Sequence, residues 1–225
     1  MRRKRLFVYL ACMAIVFPII VVTQTRLTKM KDDSWLEKSM SYLPQSKDLK
    51  PYLMGFHTVY ASYLWIKTTL YFGEHNQGDK QFPWLISMVD MVTKLHPHFQ
   101  PAYEFAGLML PEHCNNIKAA HIILERGISH IREKPWKLPF YAGWMYHEKV
   151  HDKEMAARYL SRAGRHKGAP ALYSLLAASL YRDVGLKNQG LAFLQSIYES
   201  VESPQSKKMI KKKIVSLIEN EPDNP

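Results

Sequence analysis

One stretch of the chain has the spacing of a catalytic motif. His147-Glu148-Lys149-Val150-His151 spells HExxH. On a continuous helix two histidines four residues apart share a face and can hold zinc, while the glutamate activates a water. That chemistry defines one function class for the chain, a zinc-dependent hydrolase using His147, Glu148 and His151. It needs a third ligand, and Glu154 and His166 are the candidates downstream. The surrounding pattern works against it. The helical periodicity stops near Val150, His151-Asp152 reads as a turn, and Asp152 reads as the cap of the next helix. A turn between the two histidines breaks the geometry that zinc requires.

Other reactive residues are scattered. His96-Pro97-His98 flanks a helix end, where histidine is an ordinary last-turn residue. His113-Cys114 falls in a loop without partners. Only two cysteines occur, Cys12 and Cys114, too few for a cysteine-built zinc site and too differently placed for a bridge. No glycine-rich phosphate loop and no nucleophile elbow is present, so no cofactor is expected. The net charge is +11, with Arg2, Arg3, Lys4 and Arg5 clustered at the start. The basic residues do not alternate with aromatics, so nucleic acid is not an expected partner. They fit a solvated surface, or contact with lipid head groups or an acidic protein.

The elements around these residues repeat. Gly73, Gly107, Gly143 and Ala178 recur at steps of 34, 36 and 35 residues. Twelve residues after each stands Leu85, Ala119, Met155 or Gly190, and four further on Val89, Ile123, Tyr159 or Leu194. A period in the mid-thirties with a small residue in each of two paired helices predicts stacked helical hairpins. One hairpin cannot cover its own apolar face, so neighbours must share a core. The second unit reads Tyr103, Ala106-Gly107, Leu110, Ala119, Ile123; the third Pro139, Ala142-Gly143, Tyr146, Met155, Tyr159; the fourth Ser174, Ala177-Ala178, Tyr181, Gly190, Leu194.

This pattern resembles the tetratricopeptide repeat superfamily. Pro135, Pro170 and Pro204 fall later than that family's proline. The resemblance implies an all-α fold, a right-handed superhelical solenoid of about four helix pairs over residues 51–202, and binding of a protein or peptide rather than a reaction. The first helix of each pair would line the concave face. There the register places Glu104, Leu108, Lys137, Phe140, Trp144, His147, Leu175 and Arg182, with Ser179 between the last two. Phe140 and Trp144 would form the centre of a groove, with Lys137 and Arg182 at its rim.

The flanks complete the plan. Residues 1–5 are a basic cytoplasmic segment. Leu6 to Val22 is an uncharged apolar run, read as an uncleaved transmembrane anchor at the short limit for a spanning helix. Positive charge stays inside, so the bulk of the chain is expected outside the cytoplasm, in a bacterium on the periplasmic side of the inner membrane. Residues 23–50 read as a linker. Pro51 to Gly73 is apolar almost all round but carries Lys67, so it is predicted as a helix buried in the stack rather than a second span. Ser203-Pro204 starts a lysine-rich closing helix over residues 203–219, with Ile210, Ile214, Leu217 and Ile218 on one face, and 220–225 is a tail. The layout resembles bacterial membrane-anchored repeat proteins. It implies a non-enzymatic scaffold or adaptor, held by lipid through its anchor, serving as subunit or assembly factor of a membrane complex. The alternatives are the zinc hydrolase and an adaptor that grips anionic lipid or cell-wall polymer through the last helix.

Overall fold

The structure is a computed structural model that describes residues 51–219, together with Pro18 and Leu49. The basic segment, the apolar run 6–22, nearly all of the linker and the tail lie outside the described residues. The described chain is all helical: α1 His57–Gln77, α2 Leu85–Leu95, α3 Gln100–His113, α4 Ile117–His130, α5 Lys137–Met145, a π-helical turn Tyr146–Val150, α6 Lys153–Gly164, α7 Ala171–Asp183, α8 Lys187–Tyr198 and α9 Pro204–Glu219. No strand occurs among the described residues.

Local chemistry sets several boundaries. The Asn116 side chain accepts from the Ala119 amide at 2.9 Å and caps α4. Asp152 accepts from the Met155 amide at 2.9 Å and caps α6, as its position predicts. Ser203 and Pro204 open α9 as read from the sequence. The first long apolar segment begins later than expected. Met54 and Gly55 take positive φ, 45° and 91°, so the chain turns there and α1 starts at His57 rather than at Pro51. It also runs past Gly73 to Gln77.

Packing follows chain order. Each helix makes its substantial contacts with the next one along, and α2 with α4, α3 with α5 and α7 with α9 meet as well. The large residues of the repeat register are buried: Val89, Ile123, Tyr159 and Leu194. A core joins Ala156, Leu160, Ala178, Tyr181, Leu194 and Ile210, taken from four helices in succession. Ile218, expected on the inner face of α9, is exposed; Ile210 and Leu217 alone of that face are fully buried.

The small residues differ in what they permit. A Cβ on Gly143 would sit 2.8 Å from Leu160 Cγ and 3.3 Å from the Ala156 carbonyl oxygen. The second contact is backbone and cannot yield easily, so α5 and α6 cross where only glycine fits. A Cβ on Gly73 would meet nothing within 4 Å; its place in the register reflects no close approach.

Tyr103 secures the α2–α3 corner. Its ring is fully buried, and its hydroxyl donates toward the carbonyl oxygens of Pro97, at 3.0 Å, and Thr93, at 3.3 Å. Burial pushes its pKa up to about 12, with the Asp90 carboxylate adding to the rise and Arg126 opposing it.

Two outcomes follow for stability. Gly143→Ala lowers it by about 1–3 kcal/mol through overpacking, whereas Gly73→Ala raises it by up to about 1 kcal/mol through helix propensity. Urea titration of the two variants separates a contact glycine from a coincidental one. Because the folded protein holds Tyr103 neutral to higher pH than the unfolded chain does, this stability is complete below pH 10. It is lost as pH rises toward about 12. Tyr103→Phe loses about 1 kcal/mol at neutral pH through its hydrogen bonds, and its stability then declines less steeply in that alkaline window.

Candidate functional site

The HExxH motif straddles a helix end. Tyr146 to Val150 form the π-helical turn, and His151 lies outside it in the left-handed region at φ 58° and ψ 25°. The Asp152 amide donates back to the Tyr146 carbonyl at 3.0 Å, which closes the turn. His147 and His151 are therefore not successive residues on one α-helical face. His147 Nδ1 instead meets Glu148 Oε1 at 2.8 Å, and the neighbouring Lys149 bonds Glu112 of α3. Among the described residues no three histidine, cysteine, aspartate or glutamate side chains converge as a metal site.

The residues expected on the first-helix face are partly brought together. Glu104 on α3 and Lys137 on α5 meet at 3.0 Å, and Gln100 donates to the same carboxylate oxygen at 2.6 Å. The hydrogen bond from Lys137 to the Glu104 carboxylate holds the lysine ammonium above its ordinary pKa. Lys137 is thus a bridge between two first helices, and its charge is answered within the protein. Arg182 likewise meets Asp183 at 3.2 Å, whose other oxygen is 3.6 Å from Lys153. Phe140 stacks on Tyr173 of α7 at 4.4 Å between centroids. Leu175 is partly buried against the core. The outward-facing members are Leu108, 40% exposed, and Trp144, 50% exposed. Leu172 and Leu176 are also exposed on α7. Each of these three first helices therefore presents a large apolar side chain to solvent.

Spacing alone does not reveal the polar links between successive units. Arg126 on α4 reaches back to α2, to Asp90 Oδ1 at 2.9 Å and Thr93 Oγ1 at 2.8 Å. Arg162 on α6 reaches back to Glu125 on α4 at 3.2 Å. His121 Nδ1 lies 3.3 Å from the Tyr146 hydroxyl and 3.5 Å from that of Tyr159, and those two rings stack at 5.5 Å. Arg126–Asp90, Arg162–Glu125 and His121–Tyr159 join residues 36, 37 and 38 positions apart, roughly one repeat, and a search for opposite charges at that distance could have found the ion pairs. A cavity of about 560 Å³ lies between the α6–α7 connection and the start of α9, lined by Arg165, His166, Lys167, Ser174 and Ser203 among others. Its cations are engaged, Lys167 with Glu202 at 2.7 Å and Arg165 over the Phe193 ring at 5.2 Å.

No family model, no curated protein and no solved structure matches this chain. The reading of function therefore rests on the geometry above.

That geometry gives His151 a conformational role that can be measured. A histidine in the left-handed region carries a penalty that glycine does not. His151→Gly should raise stability by about 0.5–1 kcal/mol, about 2 °C or so in Tm for a chain of this size. The metal content of the full chain should not change with it. Loss of bound zinc in that variant would return the motif to catalysis.

Proposed function

We propose that the chain is a membrane-anchored, tetratricopeptide-like scaffold that holds a protein or peptide partner without catalysing a reaction. Its helices form a solenoid of about four pairs, and the apolar run 6–22 keeps it on the periplasmic side of a bacterial inner membrane, where it serves a membrane-associated complex. The solenoid reading is supported by packing that runs between chain neighbours and by links that recur at repeat spacing, Arg126 to Asp90, Lys137 to Glu104 and Arg162 to Glu125.

The observation that carries the binding role is the row of outward apolar side chains on successive first helices, with Trp144 at its centre. Exposed tryptophan is costly to leave in water and dominates interfaces when it is covered. Leu108 stands on one side and Leu172 and Leu176 on the other, so an extended segment or an apolar helix edge could lie across three units. The charged side chains beside this row are paired internally, which leaves apolar contact as the main source of affinity.

The test is recovery of partners from detergent-solubilised native membranes with the tagged full chain. Trp144→Ala should cut recovery of a specific partner by about tenfold or more, as loss of a central hot spot costs ~2 kcal/mol. Lys212→Ala, on the exposed side of α9, should leave recovery unchanged. Equal recovery with both variants refutes the Trp144 row as the binding surface.

A further inference from the structure

The first helix is apolar on more sides than the fold covers. Ala61, Leu64, Thr68 and Tyr71 are buried where α1 packs on α2. Trp65 and Phe72 turn toward α3, Trp65 against Phe99 and Phe105 at 5.6 and 5.4 Å and Phe72 against Phe105 at 5.2 Å. The expectation that this helix is enclosed fails on the remaining side. Val59, Tyr63, Ile66 and Leu70 recur at helical spacing, and Tyr52, Met54 and Phe56 precede them; all seven are between 54% and 87% exposed. A contiguous apolar surface of this kind marks a contact, and a helix apolar all round is ordinarily covered.

We propose that this face of α1 docks on the surface of a lipid bilayer. The proposal rests on the anchored reading above, because the anchor supplies the bilayer. Two observations favour lipid over a protein groove, and a third bears on how α1 would meet the bilayer. The exposed apolar side chains continue past the start of α1 to Phe56, Met54 and Tyr52, in the direction in which the chain leads to the uncharged run Leu6 to Val22. Its composition suits an interface: Tyr52 and Tyr63 are aromatic rings with polar tips, Lys67 lies over the Tyr63 ring at 5.7 Å, and no acidic residue occurs from Lys50 to Gly73. No helix of the described residues is long and apolar enough to cross a membrane, so α1 would lie on the surface and leave its other side on α2 and α3. The linker 23–50 permits this, since an extended chain reaches roughly 3.3 Å per residue.

The experiment uses the full chain in lipid vesicles, with Cys12 and Cys114 replaced by serine. An environment-sensitive fluorophore is placed singly at Val59→Cys, Tyr63→Cys or Ile66→Cys, and at Ile122→Cys on α4 as an exposed apolar control. Circular dichroism confirms unchanged helix content. Doxyl-labelled lipid should quench the three α1 labels by about twofold or more, as expected for a face sunk roughly 5–10 Å into the head-group boundary, and leave the Ile122 label unchanged. Alkaline carbonate extraction of the same vesicles reports separately on the anchor. Unquenched α1 labels on protein that resists extraction overturn the docking and leave the anchor standing. Quenched labels on protein that is extracted support the docking and refute the anchor. Unquenched labels, together with a disulfide dimer formed by the unlabelled Ile66→Cys protein, assign the face to a second copy and overturn the proposal.

Discussion

Each hairpin of this chain carries more apolar surface than its two helices can cover for each other. The α6 residues Ala156 and Leu160 are buried only because α5 lies on one side and α7 on the other. The burial of Leu194 in turn depends on α7 and α9. In the proposed solenoid such a chain gains hydrophobic stabilisation by adding neighbours in sequence order. Close crossings follow from that constraint. Gly143 lets α5 approach α6 until a single methyl group would collide with backbone, and at that separation Leu160 can fill the space between them.

Polar contacts work at a second level. Partly exposed ion pairs add little to stability, so Arg126–Asp90, Lys137–Glu104 and Arg162–Glu125 are better understood as fixing register. Each joins a helix to the equivalent helix of the preceding unit. Sliding the α3–α4 hairpin, which contributes Glu104, Glu125 and Arg126, would separate all three pairs and leave partly desolvated charges without partners. Arg126 illustrates this, because it also donates to Thr93 Oγ1, a buried hydroxyl on α2. In the proposed scaffold Leu108, Trp144 and Leu176 stand exposed on successive first helices, α3, α5 and α7, whose positions such contacts help to fix.

Helical content, the hairpin order and the buried large residues were legible in the sequence because they follow from a recurring apolar period. The Asp152 cap and the break inside HExxH were legible for the same reason: the repeat demands a turn there, and aspartate is the residue that starts a helix after one. What a periodic pattern cannot convey is which side of an apolar helix lacks a neighbour. Pro51 to Gly73 reads as a core helix because almost every position is apolar, yet covering it on all sides requires a preceding hairpin, and none lies ahead of α1 among the described residues. The pattern also misassigned Gly73, a small residue in register but not at a crossing, and it gave Lys137 and Phe140 to an open groove when their neighbours one unit away hold them. Pairing at a distance of one repeat is visible only when residues of opposite charge are sought at that distance.

The two ends of the stack differ, and the difference gives the proposed scaffold a direction. At the C-terminal end α9 turns Lys208, Lys211 and Lys212 outward, with Met209, Val215 and Ile218 exposed among them, a mixed surface that water tolerates. At the N-terminal end the exposed side is apolar and aromatic up to Leu70, and Glu74 is the first carboxylate after it. In the proposed anchored arrangement a tether of the length of residues 23–50 would hold such a face near the bilayer at an effective concentration of order millimolar, so an affinity far too weak to retain a free protein would be enough to keep α1 on the lipid. Docking at that end would place the row of first helices with its beginning at the membrane and its later units, with Trp144 and Leu176, progressively farther along. A partner reading that row would then be one whose own segment emerges close to the same bilayer.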